Sequence, residues 1–186
     1  VGGRRPSRLS SGLSSDNAAF TVNSANRALP PLGGHATPRG VIHVERKRCL
    51  WEGRLFERLR VTNFGLDEVM APIAYDFDAD FRDMFEVRGM IRPARGRMRE
   101  PKLAGRGVVL AYDGLDGVHR ASIISFSEPP WRLTATRAEF MLSVRPEQRI
   151  ELFAEVGVKT AHPPDRARFD HALAGARRTV SDHRTR

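Results

Sequence analysis

The alternation of apolar and polar side chains between residues 41 and 156 is the feature that most constrains the fold of this chain. Within 41–47, for example, Ile42 and Val44 alternate with polar and charged residues. A period of two directs successive side chains to opposite faces, so each such segment is predicted to be a strand with one buried face. Segments of this kind recur at intervals of roughly 8–12 residues, as in all-β domains. They are Val41–Lys47, Leu55–Thr62, Val69–Phe77, Gly107–Tyr112, Val118–Phe126, Arg132–Thr136, Ala138–Val144 and Arg149–Val156.

The connections between these segments predict antiparallel pairing. Asp113-Gly114 and Asp116-Gly117 lie in a short loop of the kind that joins the strands of a hairpin. No long helical pattern interrupts the series, and parallel neighbours would need such a crossover. We therefore expect an all-β fold, an antiparallel sandwich or barrel rather than a βαβ fold.

The two flanks differ from this strand-rich region. Residues 1–40 are rich in Ser, Gly, Pro and Asn, which predicts an irregular N-terminal arm with room for one short strand at Ala18–Val22. Near the other end, apolar residues recur at helical spacing, which predicts a helix over Pro164–Val180. The predicted organisation is thus an arm over 1–40, a β-sandwich domain over 41–158 and a helix within 159–186.

The net charge of +9 raises the question of nucleic-acid binding. The excess lies in the flanks, since residues 1–40 carry +4, residues 160–186 carry +3 and residues 41–159 only +2. A nucleic-acid module more often carries a basic stripe with aromatic platforms on its folded body. Nucleic acid is therefore not an expected partner, and a basic polyanion-binding protein is kept only as a further alternative.

The single cysteine and the hydropathy indicate the cellular setting. Cys49 has no partner for an internal disulfide, which fits a reducing compartment, and we expect a cytoplasmic protein. Three basic residues precede Cys49 and could lower its pKa, but a small buried strand residue is the favoured interpretation. No run of about 18 apolar residues occurs, so no membrane partner is expected.

The most distinctive polar segment follows Tyr75. In an extended chain three carboxylates would share one face and three apolar residues the other, as in Asp76, Asp78 and Asp80 against Phe77, Ala79 and Phe81. Three like charges at this spacing must be solvated, paired or bridged by a cation. A calcium loop would need glycine after the third acid, where Phe81 stands, so no metal or other cofactor is predicted. An acid pair for glycoside hydrolysis is less favoured still, because nothing places an acid in an apolar pocket.

Two further interpretations of the acidic segment stay open. The favoured one is a charged face answered by arginine, with Arg82, Arg88 and Arg92 as candidates. The other is contact with a partner domain or a glucan. Trp51 and Trp131 are candidates for stacking on sugar rings, although large aromatic residues more often bury their area; Trp131 is better explained as an anchor at a strand entry. No catalytic residue is predicted from residue chemistry alone.

Longer strings resemble a known family. The sequences VIHVERKRCLWEGRLFERLR (41–60), followed by VTNFG, and FDADFRDMFEVRG (77–89) resemble the N-terminal domain of bacterial glycogen-debranching proteins of the amylo-α-1,6-glucosidase type. LSSGLSSDNAAFTV (9–22) and PRGVIHVER (38–46) fit the same pattern, and the resemblance extends over roughly Leu9–Val158. It implies a β-sandwich, supersandwich-like, that precedes an (α/α)6 barrel carrying the hydrolytic carboxylates.

The resemblance also implies a function. We expect a non-catalytic domain that packs on and shapes a glucan-hydrolysing barrel, in cis or in trans, with an α-glucan such as glycogen as the substrate of the whole. The barrel is not among these residues, so we expect a truncated product or a split subunit, with the C-terminal helix as the linker. A stand-alone carbohydrate-binding module is the alternative. The expected contact residues are Asp78, Asp80, Asp83, Phe85, Glu86, Arg88 and Trp51.

Overall fold

The computed structural model describes residues 5–159 and 162–184, which form two antiparallel sheets and two helices. The strands are β1 Ser7–Leu13, β2 Phe20–Ala25, β3 Ile42–Trp51, β4 Arg54–Asn63, β5 Val69–Asp76, β6 Arg97–Met98, β7 Lys102–Ala104, β8 Gly107–Asp113, β9 His119–Phe126, β10 Arg132–Leu133, β11 Arg137–Val144 and β12 Arg149–Gly157. The helices are α1 Met84–Val87 and α2 Arg166–Arg184. The predicted all-β, antiparallel sandwich with a C-terminal helix is confirmed.

The two sheets enclose one core. The large sheet has the order β1-β2-β3-β4-β12-β9-β8-β6, with β7 also paired to β8, and the small sheet has the order β10-β11-β5. Buried aliphatic residues of both sheets meet between them and form the intersheet core. The rings of Phe126, Phe140 and Tyr75 pack there in tilted and edge-on contacts, with centroids 5.3–6.0 Å apart. The side chains that alternate inward along each strand are therefore the ones that hold the sheets together.

The hairpin that joins β3 and β4 explains why β3 is longer than predicted. Trp51 pairs with Arg54, so only Glu52 and Gly53 form the turn. Both have positive φ angles, 47° and 69°, as a two-residue turn matched to the twist of a hairpin requires. The ladder consequently continues to Trp51, beyond the segment in which the apolar alternation is visible.

Two strands extend the large sheet within the predicted irregular arm over residues 1–40: β2 overlaps the short strand allowed at Ala18–Val22, whereas β1 was not predicted. The side chains of β1 are mostly exposed on both faces. This strand is therefore held by backbone pairing with β2 rather than by burial of an apolar face. For the same reason its sequence shows no alternation of apolar and polar residues. The turn between the strands is fixed by Asp16, which accepts a hydrogen bond from the Ala18 amide at 3.1 Å.

Helix α2 confirms the predicted C-terminal helix and covers the outer face of the large sheet. The Asp165 side chain caps its start by accepting a hydrogen bond from the Arg168 amide at 2.8 Å, and Pro164 lies just before it. The apolar stripe of the helix packs on β3, β4, β12 and the turn after β1. The buried residues of this second cluster are Ala18, Ala19, Cys49, Phe56, Phe153, Phe169, Ala172, Leu173 and Ala176.

The free edges of both sheets are poorly suited to pairing with another strand. A bulge at Leu9 interrupts the register of β1, and β5 carries Pro72, which has no amide hydrogen. The strands β6, β7 and β10, which lie at the remaining edges, have only two or three residues each. No helix among residues 5–159 and 162–184 is long and apolar enough to cross a membrane.

Candidate functional site

The acidic segment leaves the end of β5 and keeps the predicted division of its faces. Asp76, Asp78 and Asp80 are exposed, whereas the apolar residues between and after them are partly buried against the intersheet core. Phe77, Ala79 and Phe81 are those residues. The segment is thus anchored by its apolar face although it is no longer paired as a strand. It presents its carboxylates to solvent.

A short helix follows, and two acids of the candidate set build its start. Asp83 accepts hydrogen bonds from the amides of Phe85 at 2.8 Å and Glu86 at 2.9 Å, and Glu86 accepts one from the Asp83 amide at 3.0 Å. This reciprocal arrangement is a capping box. The amide of Glu86, followed by Arg92, holds the pKa of Asp83 below its usual value. Both carboxylates therefore serve to hydrogen-bond backbone amides at the start of this helix.

Arginines from the next loop complete the segment. Arg92 forms an ion pair with Asp83 at 2.6 Å, and Arg95 forms one with Glu86 at 3.0 Å. Arg95 also donates to the Asp80 carbonyl at 2.6 Å. Of the arginines predicted to pair with Asp76, Asp78 and Asp80, Arg82 lies 3.5 Å from Asp80, whereas Arg92 pairs with Asp83 instead. Arg95 was not predicted, nor was Arg137, which pairs with Asp76 at 2.5 Å. We define the α1 loop as residues 77–96, the stretch held together by these contacts.

The remaining arginine candidates contribute less. Arg82 lies 3.5 Å from Asp80, and both side chains are exposed. Arg88 ends the short helix, where its backbone amide donates to the Met84 carbonyl at 3.2 Å, and it is exposed. These two residues lie on the surface of the α1 loop rather than in its interior.

The α1 loop rests on the β8–β9 hairpin. The rings of Phe81 and Tyr112 stack with centroids 5.5 Å apart and planes 8° from parallel. The Tyr112 hydroxyl accepts a hydrogen bond from the Gly96 amide at 2.6 Å. A groove of about 470 Å³ remains between loop and hairpin. At its far side Asp116 pairs with Arg120 at 2.6 Å, and this arginine lowers the pKa of Asp116.

Five large apolar side chains of the α1 loop are exposed. We call them the α1 patch, and they are Met84, Phe85, Val87, Met90 and Ile91. Exposed fractions run from 49% for Phe85 and Met90 to 92% for Ile91. Only Phe85 was among the candidates from the sequence. The others recur every three or four residues, as buried helix residues also do, so only the structure identifies them as lying outside the core.

Trp51 lies apart from the α1 loop and packs under α2. It meets His171 edge-on at 5.0 Å and Phe56 at 6.5 Å, and it is half-buried. It lines an opening of about 570 Å³ that shares no lining residue with the groove beside the α1 loop. The structure therefore does not bring Trp51 together with the acidic segment. The second tryptophan, Trp131, precedes β10 and is 75% exposed.

The most buried carboxylates lie elsewhere and were not predicted as site residues. Glu57 faces the intersheet core beside Arg46, at 2.7 Å, and Arg48. Glu155 faces α2 and pairs with Arg54 at 2.7 Å and Arg168 at 2.9 Å. In the sequence Glu57 is notable only because it is charged at a position of the alternating pattern that is otherwise apolar. Each of these carboxylates is neutralised by two arginines.

Ionisation in the interior follows from burial. Removal from water raises the pKa of the Cys49 thiol to about 11, and Lys47 opposes this only in part, so the alternative of a reactive, acidic thiol is wrong. Burial and the neighbouring Glu57 likewise raise the pKa of Tyr75. In the described part of the chain, no three His, Cys, Asp or Glu residues are grouped so that they could hold a metal ion.

Comparison with solved structures finds proteins with a similar fold. A structure described as a candidate kojibiose phosphorylase from the human microbiome matches with a TM-score of 0.51 and 9% identity, over 88% of this chain and 21% of that one. A polysaccharide lyase matches with a TM-score of 0.44 and 13% identity, over 85% of this chain and 24% of that one. The first likeness supports the fold alone, and this chain spans only 21–24% of either protein.

A comparison with curated proteins found no match. The family model described as the N-terminal domain of (some) glycogen debranching enzymes matches residues 1–155, which is most of the chain. The sandwich of two sheets and the motif-bearing α1 loop both lie within this match. The chain therefore belongs to the family of N-terminal domains of glycogen debranching enzymes.

Proposed function

We propose that this chain is the non-catalytic N-terminal domain of an amylo-α-1,6-glucosidase-like protein, and that it packs on and shapes an (α/α)6 barrel that hydrolyses the glucan. The family match over residues 1–155 supports the debranching context. The barrel acts in cis or in trans, and an α-glucan such as glycogen is the substrate of the whole. A cytoplasmic site of action is proposed with it, since the one cysteine is a free thiol.

The main support for a non-catalytic role is that the carboxylates are already bound by arginines and backbone amides. Glycoside hydrolysis generally requires two carboxyl groups flanking the scissile bond, one kept protonated as a general acid and one free to act as nucleophile or base. The buried acids Glu57 and Glu155 are each ion-paired with two arginines, which cover their oxygens and block access of a substrate. Asp83 and Glu86 are committed to the capping box and to arginine. These four carboxylates are therefore engaged by other groups of the domain rather than open to a glucan.

A hydrolysis assay tests this proposal. The purified 186-residue chain is incubated with a limit dextrin that carries α-1,6-linked glucosyl branches, and released glucose is measured. We expect release no faster than with heat-denatured chain, and the same chain should give release when it is combined with the barrel domain. Release by the pure chain alone, abolished when Glu57 or Glu155 is replaced by glutamine in a variant that still folds, would refute the non-catalytic role.

One observation favours a stand-alone carbohydrate-binding module as the second candidate. Trp131 is 75% exposed beside β10, and an open indole face suits stacking on a sugar ring. Glycogen co-sedimentation separates the two candidates. Retention of the native chain that is lost in Trp131→Ala, but kept in a Trp51→Phe variant with a native circular dichroism spectrum, would favour the module. No retention of the native chain leaves the accessory domain as the better account.

A further inference from the structure

A further opening lies beside β8 and β9, on the outer side of the large sheet. The buried residues under α2 belong to β3, β4, β12 and the turn after β1, and none belongs to β8 or β9. Val109 of β8 pairs with Ile123 of β9, and both side chains are only half-buried. They line an opening of about 380 Å³, which we call the β8–β9 opening. Its size lies at the lower end of the range of small-molecule sites.

Arg54 forms a fixed wall of this opening. Its Nε donates to Glu155 at 2.7 Å, and its two terminal nitrogens donate to the Lys159 carbonyl at 2.9 and 2.6 Å. The guanidinium lies against Gly157, where a Cβ atom would come within 2.2 Å of it. Glu155 is shared with Arg168, so one carboxylate balances two arginines. The wall is therefore held in place before a ligand arrives, which lowers the ordering cost of binding, and it keeps an uncompensated positive charge.

Two more cations line the opening without an acidic partner. Arg106 is exposed and donates to the Ser127 carbonyl at 2.6 Å. Lys159 is exposed, and within residues 5–159 and 162–184 neither Lys159 nor Arg106 forms an ion pair. Among the described residues that line the opening there is no Asp or Glu. Cations around a concave surface raise the local concentration of anions, so the β8–β9 opening favours an anionic ligand.

The residues between these cations indicate which kind of anion fits. A phosphate monoester carries close to two negative charges at neutral pH, which matches the two unpaired cations, Arg106 and Lys159, better than a single carboxylate does. Val109 and Ile123 offer apolar surface to the rest of the ligand. Such surface cannot replace the water around sugar hydroxyls, but it suits a flat apolar ring. The combination is typical of a site for an organic phosphate with an apolar body.

We propose that the β8–β9 opening binds a small organic phosphate, with the phosphate between Arg106 and Lys159 and an apolar ring on Val109 and Ile123. Arg54 is a positioning residue, because it holds the backbone of Lys159 through the carbonyl. The inference goes beyond the proposed function and does not depend on it, since it requires neither a glucan nor a catalytic domain.

Nuclear magnetic resonance titration of the isotope-labelled 186-residue chain tests the proposal, with phenyl phosphate as the probe. We expect saturable shifts of backbone amides centred on Gly107 and Ser125, which pair with each other and line the opening. Phenyl phosphate should bind at least about fivefold more tightly than inorganic phosphate, because the ring loses contact with water. Benzoate, with one charge, and glucose 6-phosphate, with a polar body, should both bind more weakly than phenyl phosphate.

Charge-removing variants connect the binding to the two unpaired cations. The double variant Arg106→Gln/Lys159→Gln should weaken phenyl phosphate binding at least about tenfold. Arg149→Gln is the matched control, because Arg149 is also basic and exposed but starts β12, whereas Gly157 at the opposite end of that strand lies beside Arg54. The control should keep the affinity within about twofold. The three replaced side chains are exposed, so native circular dichroism spectra are expected for both variants.

Each other outcome contradicts a stated part of the proposal. Shifts centred elsewhere, no saturable shift, or equal affinities of the double variant and the native chain would overturn the site. Benzoate that binds as tightly as phenyl phosphate would overturn the doubly charged head group. Glucose 6-phosphate that binds as tightly would overturn the apolar body. The limit-dextrin assay is independent of these titrations, so failure of the site and failure of the proposed function are distinguishable.

Discussion

Replacement of Gly175 by alanine should destabilise this protein, although the same change stabilises most helices. Gly175 lies in the middle of α2 and is buried against the sheet. A Cβ atom there would lie 2.9 Å from Cδ1 of Trp51 and closer still to Nε1 and Cε2 of the same ring. The indole is itself confined by His171 and Phe56, so it has little room to move away.

Two opposing effects set the change in the free energy of unfolding caused by Gly175→Ala. Alanine is favoured over glycine in a helix interior by about 1 kcal/mol. Forcing an extra methyl group into a packed site costs about 1–3 kcal/mol. The overlap with a confined aromatic ring falls in the middle of that range, so the net loss of unfolding free energy should be about 1 kcal/mol. In a Trp51→Leu background the overlap disappears, and the alanine should then stabilise by about 1 kcal/mol.

Urea unfolding followed by circular dichroism measures both effects. With a slope of about 2 kcal/mol per M, Gly175→Ala should lower the midpoint by about 0.5 M in the native background and raise it by a similar amount in Trp51→Leu. The four proteins form a double-mutant cycle with a coupling energy of about 2 kcal/mol. Stabilisation by alanine in the native background, or equal destabilisation in both, would refute the close packing of α2 on Trp51.

Three further outcomes are expected. The Cys49 thiol, whose pKa is raised to about 11, should react with a disulfide reagent far more slowly in the native protein than in urea. Because only the unfolded chain forms thiolate readily above pH 9, the free energy of unfolding should fall as the pH rises from 9 towards 11. A rise over that range would contradict the burial of the thiol. Glu155→Gln should lower the free energy of unfolding by about 3 kcal/mol, since it leaves Arg54 and Arg168 without their anion. Arg168→Ala should lower it by less, because Glu155 stays paired with Arg54. Equal losses for the two variants would contradict this geometry. Trp131→Ala should leave the urea midpoint within the scatter of surface substitutions, about 0.5 kcal/mol, and a larger loss would show that the ring is packed.

The central strands and the C-terminal helix could be predicted because their signals are local. The alternation in 41–47 and the helical spacing in Pro164–Val180 each reflect one face turned towards the core, and both elements were found. The strand β1 carries no such signal, because an edge strand with both faces exposed is held by its backbone. Composition alone therefore made residues 1–40 look like a loop.

The candidate site was predicted in part. The acidic segment was located, and its two faces were assigned correctly, because an extended chain fixes which side chains share a face. The partner Arg95 and the α1 patch were missed. Both depend on how the chain turns after Phe81, whose φ of 48° redirects the backbone into the short helix.

Periodicity and turn residues are enough to predict an antiparallel sandwich of short strands with one helix, since these signals act over a few positions. The folded chain is needed to show which strands lie at the edges, which acids pair with arginine and which apolar side chains remain uncovered. These depend on contacts such as that between Arg54 and Glu155, which are 101 positions apart and meet only after β4 and β12 have paired. No local sequence pattern predicts this ion pair, because its free energy depends on two segments that are distant in the sequence.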